Sequence, residues 1–171
     1  MTTRRDLVRL AAASACTLWL PRASRSQVRL GDTPFGLGVA SGSPTPDGMV
    51  LWTRLMAGAG QGAATVSWEL AHDDGFKRIV RSGQAQAEPA LAHSVHAEVA
   101  GLEPDRWYFY RFMVGDAASP VGRTRTLPAQ DAVVARWRMA YASCQKWEDG
   151  YFSAWRHMLR ENLDAVLFQG D

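Results

Sequence analysis

The sequence has few cysteines and no long apolar run. Only two cysteines, Cys16 and Cys144, occur among its 171 residues. Cys16 lies in an N-terminal segment that we expect to be removed, so the mature chain would hold one thiol and no internal disulfide bond. No stretch of about 18 or more apolar residues is present, which argues against an ordinary transmembrane helix and predicts no stable membrane anchor.

A strong excess of positive charge is also missing. The formal net charge is +2, but residues 1–26 contain five arginines and one aspartate. The remainder has 14 basic and 16 acidic residues, a net charge of −2. We therefore expect no nucleic-acid binding.

Two common catalytic motifs are absent as well. The chain contains no Gly-x-Ser-x-Gly, which argues against a hydrolase of the Ser-His-Asp type. It contains no Gly-x-x-x-x-Gly-Lys loop, which argues against a nucleotide-binding P-loop. What the sequence does have is an apolar fraction of 47% with seven tryptophans, as is typical of a packed core.

The N-terminus has the pattern of an export signal. Residues 2–10 read TTRRDLVRL, and an apolar stretch over residues 10–20 follows. This stretch has the length of a signal-peptide core, and with the pair Arg4-Arg5 it resembles a twin-arginine signal over residues 1–26. The resemblance implies recognition by the twin-arginine translocation machinery and a periplasmic or extracellular location. A Sec-type signal is the alternative.

Between residues 33 and 128 the pattern is that of short antiparallel strands. Several runs alternate apolar and polar residues with period two, and turn residues such as Pro46-Asp47-Gly48 separate them. Close spacing of such strands predicts a β-sandwich. The expected strands are GMVLWTRL (48–55), ATVSWELA (64–71), FKRIVRSG (76–83), HSVHAEVAGL (93–102) and RWYFYRFMV (106–114).

The stretch GLEPDRWYFYRF (101–112) makes this interpretation more specific. A leucine, a proline and then an aromatic cluster that opens a strand resemble the E–F corner of fibronectin type III and immunoglobulin-like domains. Tyr108 or Tyr110 would supply the hydroxyl of a tyrosine corner. We expect these aromatic side chains to lie in the core rather than to bind a ligand.

The C-terminal segment predicts a strand, a helix and a second strand. RWRMAYAS (136–143) and DAVLF (164–168) are the two strands, and the second should be covered on both faces. Between them, apolar residues recur on one face of a helix of about three turns. Those residues are Tyr151, Phe152, Trp155, Met158, Leu159 and Leu163.

Two potential metal ligands come after these strands. Cys144 comes directly after the first strand, and Asp171 follows the second. Functional groups of a parallel sheet gather beyond the carboxyl ends of its strands, so a thiolate and a carboxylate would converge if the strands are neighbours. Both groups bind metals. The alternatives are a buried, inert cysteine and a simple Gly-Asp turn.

Three stretches resemble the PhoD-like alkaline phosphatase family. FGLGVASGSPTPDGMVLWTRL (35–55) is similar to the opening of that family, and ASCQKWEDGYFSAWRHM (142–158) with LDAVLFQGD (163–171) is similar to the start of its catalytic domain. The resemblance implies a signal peptide (1–26), a fibronectin III- or Ig-like β-sandwich (27–130), and the first βαβ unit of an α/β metallophosphoesterase domain (136–171).

The resemblance also implies chemistry. It assigns Cys144 to the iron-ligating cysteine and Asp171 to a carboxylate that bridges metals, with Fe³⁺ and Ca²⁺ as the cofactors and phosphate mono- and diesters as the substrates. Paired cations lower the pKa of a bound water or oxo group and hold phosphate oxygens for in-line displacement. Because the family's other ligands come later than Asp171, we expect this chain to be an N-terminal fragment that is itself inactive.

Two alternatives stay open on the sequence alone. A protein similar to the purple acid phosphatases would also join a fibronectin-like domain to a metallophosphoesterase domain, although that group has an aspartate where this chain has Cys144. The other alternative is an exported β-sandwich that binds a partner and has no catalytic role.

Overall fold

β-Strands are the main regular structure of the described chain, as the sequence predicts. The structure is a computed structural model that describes residues 34–56, 62–146 and 151–170. The predicted signal segment, residues 1–26, therefore lies outside the described residues. The strands are β1 (Val39–Gly42), β2 (Met49–Arg54), β3 (Ala64–Ala71), β4 (Ile79–Ala87), β5 (Ser94–Val99), β6 (Trp107–Val114), β7 (Ala117–Ala118), β8 (Gly122–Arg125), β9 (Met139–Ser143) and β10 (Ala165–Gln169). One helix, α1 (Ser153–Met158), and a 3₁₀ turn (Pro89–Leu91) complete the described elements.

The first eight strands form two antiparallel sheets. One sheet has the order β1-β2-β5. The other has the order β4-β3-β6-β7, and β8 also pairs with β6. Strands β9 and β10 form a separate parallel pair.

The two antiparallel sheets share one core because alternate residues of their strands are buried. In β2 the buried positions are Met49, Leu51 and Thr53, and in β6 they are Tyr108, Tyr110 and Phe112. Successive side chains of a strand point to opposite faces, so each sheet turns one apolar face to the other. The remaining apolar members of the core are Phe35, Leu55, Val66, Leu70, Ala87, Val95, Ala97, Val99 and Leu102.

Tyr108, rather than Tyr110, supplies the corner hydroxyl that the sequence predicts. Its Oη accepts a hydrogen bond from the backbone N–H of Glu103 at 3.0 Å, and its side chain is fully buried. The bond fixes the turn that leads into β6, since it joins this strand to the chain five residues upstream.

Replacing Tyr108 by phenylalanine should destabilise the two sheets by about 1 kcal/mol, the usual net value of one such hydrogen bond. The ring would still fill the core, so no cavity term is added. Urea unfolding followed by tryptophan fluorescence measures the loss. The control is Tyr141→Phe, because Tyr141 is 71% exposed. An equal effect in both variants would contradict this role of the hydroxyl.

Tyr110 has a different environment, and its ionisation should limit stability at high pH. Burial raises the pKa of Tyr110 to about 12, although a hydrogen bond with Ser41 opposes the shift. In the unfolded chain the pKa is near 10. The contribution is therefore fully present below pH 10 and is lost as the pH rises toward 12.

We expect wild-type stability to fall between pH 9.5 and 11.5 by roughly 1–2 kcal/mol more than that of Tyr110→Phe. Urea titrations at several pH values measure the difference, and the variant cancels the effect of lysines that ionise in the same range. Parallel curves for the two proteins would show that burial of this phenol does not control alkaline stability.

The observed position of β4 differs from the predicted one. The sequence predicted a strand over residues 76–83, whereas β4 begins at Ile79 and ends at Ala87. The carboxylate of Asp73 accepts hydrogen bonds from the backbone N–H groups of Lys77 and Arg78, which prolongs the turn. The backbone N–H of Lys77, the larger influence, and that of Arg78 also hold the pKa of Asp73 below its usual value.

The predicted three-turn helix is wrong in length. Helix α1 has only six residues. The chain enters it through Phe152, which has a left-handed backbone (φ +51°). After Leu159 the N–H groups of Arg160 and Glu161 bond three residues back, which tightens the backbone into turns. None of the six described residues of α1 is buried.

The expectation that the second C-terminal strand is covered on both faces is also wrong for the described residues. Leu167 is 46% exposed and Phe168 is 68% exposed. The parallel pairing places this strand beside β9, but neither face is packed as the interior strands of a parallel sheet are.

The described helices include none that could cross a bilayer: within residues 34–56, 62–146 and 151–170, none is both long and apolar enough.

Candidate metal centre

Strands β9 and β10 bring Cys144 and Gly170 to the same edge. The two strands are parallel neighbours, with Met139 opposite Ala165 and Ser143 opposite Gln169. Their carboxyl ends therefore coincide. Cys144 is the first residue after β9, and Gly170 is the first after β10.

Cys144 is held at this edge by its backbone. Its N–H donates to the carbonyl oxygen of Gln169 at 3.1 Å, which continues the strand pairing by one residue. Its φ of +48° is left-handed, an unusual conformation for a residue with a side chain. The hydroxyl of Ser143 lies 3.1 Å from the sulfur and donates to it.

The thiol of Cys144 is exposed. The sequence had left open a buried cysteine that acts as a small apolar side chain, and this alternative is wrong. An accessible sulfur at the carboxyl edge of a parallel strand pair can reach a ligand or a metal. A strained backbone at such a position is a common feature of functional sites.

Gly170 leaves the space that the sulfur occupies. A Cβ atom built on Gly170 would lie 2.8 Å from Sγ of Cys144, closer than van der Waals contact allows. The glycine also has φ +75°, where a side chain is unfavourable. On the sequence alone Gly170 is only the partner of Asp171, although a glycine directly after a strand is itself a signal for a close approach.

A hollow opens next to the thiol. Its volume is about 190 Å³, enough for a few water molecules or ions but small for an organic substrate. The residues that line it come from the two strand ends: Ala142, Ser143, Cys144, Gln145, Phe168, Gln169 and Gly170.

Helix α1 supports one side of this hollow. Nε1 of Trp155 donates to the side-chain oxygen of Gln145 at 2.8 Å. The Trp155 ring stacks on Phe168, with 5.1 Å between the ring centroids. The helix thus contacts one residue beyond β9 and one at the end of β10, so it holds Gln145 and Phe168 beside the hollow. The sequence predicted a long apolar face and did not identify this polar contact.

The described residues do not by themselves form a metal site. Asp171, the second predicted ligand, lies outside them. Within the described part of the chain no group of three or more histidine, cysteine, aspartate or glutamate side chains is close enough to hold an ion. A thiolate is nevertheless a suitable donor for iron, and its exposed position leaves room for donors from elsewhere in a protein.

Two models of protein families match the chain. The model described as the N-terminal domain of PhoD-like phosphatases matches residues 21–128. The model described as PhoD-like phosphatase matches residues 139–171. Cys144 and Gly170 both fall within the second match.

Known proteins give the same result. Alkaline phosphatase D of Bacillus subtilis (strain 168) is 51% identical over 144 residues, which are 81% of this chain and 25% of that protein. The solved structure of PhoD superposes on this chain with a TM-score of 0.78 and 49% sequence identity. The match covers 82% of this chain and 28% of the PhoD chain. The chain thus spans about a quarter of the length of the curated relative that it matches. By these matches, the chain belongs to the PhoD-like phosphatase family.

Proposed function

We propose that this chain is the N-terminal part of an exported, metal-dependent phosphatase that hydrolyses phosphate mono- and diesters. The observation that carries the proposal is the exposed thiol of Cys144, which lies against Gly170 at the carboxyl edge of a parallel strand pair. Membership of a phosphatase family supplies the class of reaction. The full-length protein is this chain together with the rest of the catalytic domain.

The domain division forms part of the proposal. Residues 1–26 are a twin-arginine signal peptide, so the translocation machinery is a partner and the protein acts in the periplasm or outside the cell. Residues 27–130 are a β-sandwich of the fibronectin III or Ig-like type. Its two antiparallel sheets and the corner bond of Tyr108 support this assignment. Residues 136–171 begin the metallophosphoesterase domain with a βαβ unit.

Cys144 and Asp171 are the proposed metal ligands, with Fe³⁺ and Ca²⁺ as the cofactors. When bound, such cations activate water and neutralise the phosphate oxygens. The residues of this chain hold the donor in place. The N–H bond to Gln169 fixes the backbone of Cys144, and the Ser143 hydroxyl donates a hydrogen bond to its sulfur, which restricts where the sulfur lies.

Cys144→Ser in the full-length protein tests the proposal. We expect at least a tenfold loss of bound iron and of phosphatase activity, because a hydroxyl is a far weaker donor to iron than a thiolate. Elemental analysis and the absorption band of an iron-bound thiolate provide readouts that do not depend on turnover.

Tyr141→Phe, an exposed change on the same strand, serves as the matched control and should retain iron and activity. Iron at wild-type levels in Cys144→Ser would exclude Cys144 as a ligand. Iron loss without any effect on activity would exclude iron from the reaction.

Two other functions predict different results. A protein similar to the purple acid phosphatases would keep its metals after Cys144→Ser, since the first ligand of that group is an aspartate. A β-sandwich that only binds a partner would contain no stoichiometric metal at all. The metal content of the wild-type and Cys144→Ser proteins therefore separates all three proposals.

A further inference from the structure

Arg125, at the end of β8, lies at the junction between the antiparallel sheets and the strand pair that carries Cys144. One nitrogen of its guanidinium forms an ion pair with Asp105 beside the sheet, and another forms an ion pair with Asp164, directly before β10. Among the ion pairs between described residues, Arg125–Asp164 is the one that joins the two sides of the segment 129–138.

Asp164 in turn is joined to β9. Its second carboxylate oxygen accepts a hydrogen bond from the N–H of Arg138 at 2.8 Å, and its own N–H donates to the carbonyl of Arg138 at 2.8 Å. A single carboxylate therefore connects β8, the start of β9 and the start of β10. The side chains of Arg125 and Asp164 are only 16% and 12% exposed, so water screens this pair less than the other ion pairs.

Two tryptophans flank the same guanidinium. Its central carbon lies 5.5 Å from the ring centre of Trp107 in β6 and 5.8 Å from that of Trp137 in the connecting segment. A planar guanidinium can stack on rings and bond carboxylates at the same time, which a lysine ammonium cannot do equally well. Arg125 thus bonds carboxylates on both sides of the junction, and it contacts one ring in the N-terminal sheets and one in the connecting segment.

The connecting segment provides little other support. Residues 129–138 are all exposed, and a hollow of about 570 Å³ lies between this segment, Arg125 and Asp164. A segment whose side chains are exposed does not by itself fix the orientation of the strand pair on its C-terminal side.

We propose that Arg125 and Asp164 form an interdomain clasp that holds the β9–β10 pair, and with it Cys144, in a fixed orientation against the N-terminal sheets. Asp164 lies six residues before Gly170, roughly 20 Å along an extended strand. The clasp therefore acts at the end of β10 that is remote from the thiol. The inference rests on the proposed division into two domains and does not require a bound metal.

The test is amide hydrogen exchange in the full-length protein, followed by mass spectrometry, with and without a metal chelator. Arg125→Met keeps the length and apolar contact of the side chain but removes both ion pairs. We expect at least tenfold faster exchange in residues 139–143 and 165–169 and less than a twofold change in β2 and β3.

Asp164→Asn should also accelerate exchange in the strand pair, because it removes the negative charge with which Arg125 forms its ion pair. At the strand pair, the double variant should exchange no faster than Arg125→Met, since both changes break the same Arg125–Asp164 ion pair. Arg125→Lys should fall between wild type and Arg125→Met.

Arg111→Met is the matched control. Arg111 also bonds a carboxylate, that of Glu69 at 2.7 Å, and also stacks on a ring, that of Phe76 at 4.1 Å, but all three residues belong to the N-terminal sheets and their loops. This variant should leave residues 139–143 and 165–169 unchanged.

Unchanged exchange at the strand pair in Arg125→Met, an equal rise throughout the N-terminal sheets, or the same result in Arg111→Met would each overturn the clasp. If the full-length protein bound no metal, the proposed metal site would be wrong. The ratio of the exchange rates of Arg125→Met and wild type at the strand pair would still be the expected one. The two proposals therefore fail separately.

Discussion

Replacing Gly170 by alanine should lower the iron content of the full-length protein at least tenfold while the N-terminal sheets remain folded. The reason is the space beside the thiol. A methyl group at this position would lie 2.8 Å from Sγ of Cys144, so either the thiol or the strand end must move. Small displacements of a donor weaken a metal site strongly, because ligand geometry must be kept within narrow limits.

The alanine also carries a backbone penalty, and a second glycine separates the two effects. Gly38 has nearly the same left-handed backbone, φ +73°, but no described heavy atom lies within 4 Å of a Cβ built there. Both Gly38→Ala and Gly170→Ala should therefore show the cost of a left-handed alanine, about 1 kcal/mol. Only Gly170→Ala should lose iron.

The measurement combines elemental analysis with the rate at which a thiol reagent modifies Cys144 in the metal-free protein. That rate should change in Gly170→Ala and stay constant in Gly38→Ala. If Gly170→Ala binds iron as well as wild type and its thiol reacts at the same rate, then the contact with Gly170 does not position the sulfur.

The antiparallel sheets were predictable where strand alternation and burial coincide. In β2 and β3 the predicted strand bounds agree with the observed ones to within a residue or two, and buried core residues such as Leu51 and Val66 lie between less buried neighbours. In β4 the same pattern failed. The carboxylate of Asp73 accepts hydrogen bonds from two backbone N–H groups, so the strand begins later than the pattern predicts. Gly83, which we expected to end the strand, lies inside it beneath the ring of Trp68.

The candidate site was predictable in part. Cys144 follows a strand whose neighbour ends at the same level, and topology alone brings such residues to one edge. The space at Gly170 and the support from Gln145 and Trp155 depend on the conformation of loops, which strand periodicity does not encode. Asp171 lies outside the described residues, so its role as a ligand remains a prediction.

Exchange in the 171-residue chain itself should be very uneven. We expect amides of β9, α1 and β10 to exchange at least 100-fold faster than those of β2, β3 and β6, because opening the N-terminal sheets exposes a shared core whereas opening the strand pair exposes little. Each fully buried leucine or phenylalanine of that core stabilises the sheets by roughly 1.5–3 kcal/mol. Leu51, Leu70 and Phe112 are all completely buried.

The C-terminal elements have no comparable core among their described residues. Tyr141 is 71% exposed, Leu159 is 85% exposed and Phe168 is 68% exposed. A two-stranded pair with one short helix is at best marginally stable in water. Besides the pairing of β9 with β10, the described contacts that support it include the proposed clasp at Asp164 and the stacking of Trp155 upon Phe168.

Hydrogen exchange with mass spectrometry measures the contrast directly, and Leu51→Ala is the matched control. That variant should lose about 2–5 kcal/mol from the N-terminal sheets, and it should reduce the difference in exchange rates by accelerating exchange in the N-terminal strands and not in β9 and β10. Equal protection of β9, β10 and the N-terminal strands in the wild-type chain would mean that the strand pair is stabilised by packing that its exposed side chains do not account for. In that case the view that the strand pair lacks a core of its own would be wrong, and so would the view that the clasp is the main link between the two parts.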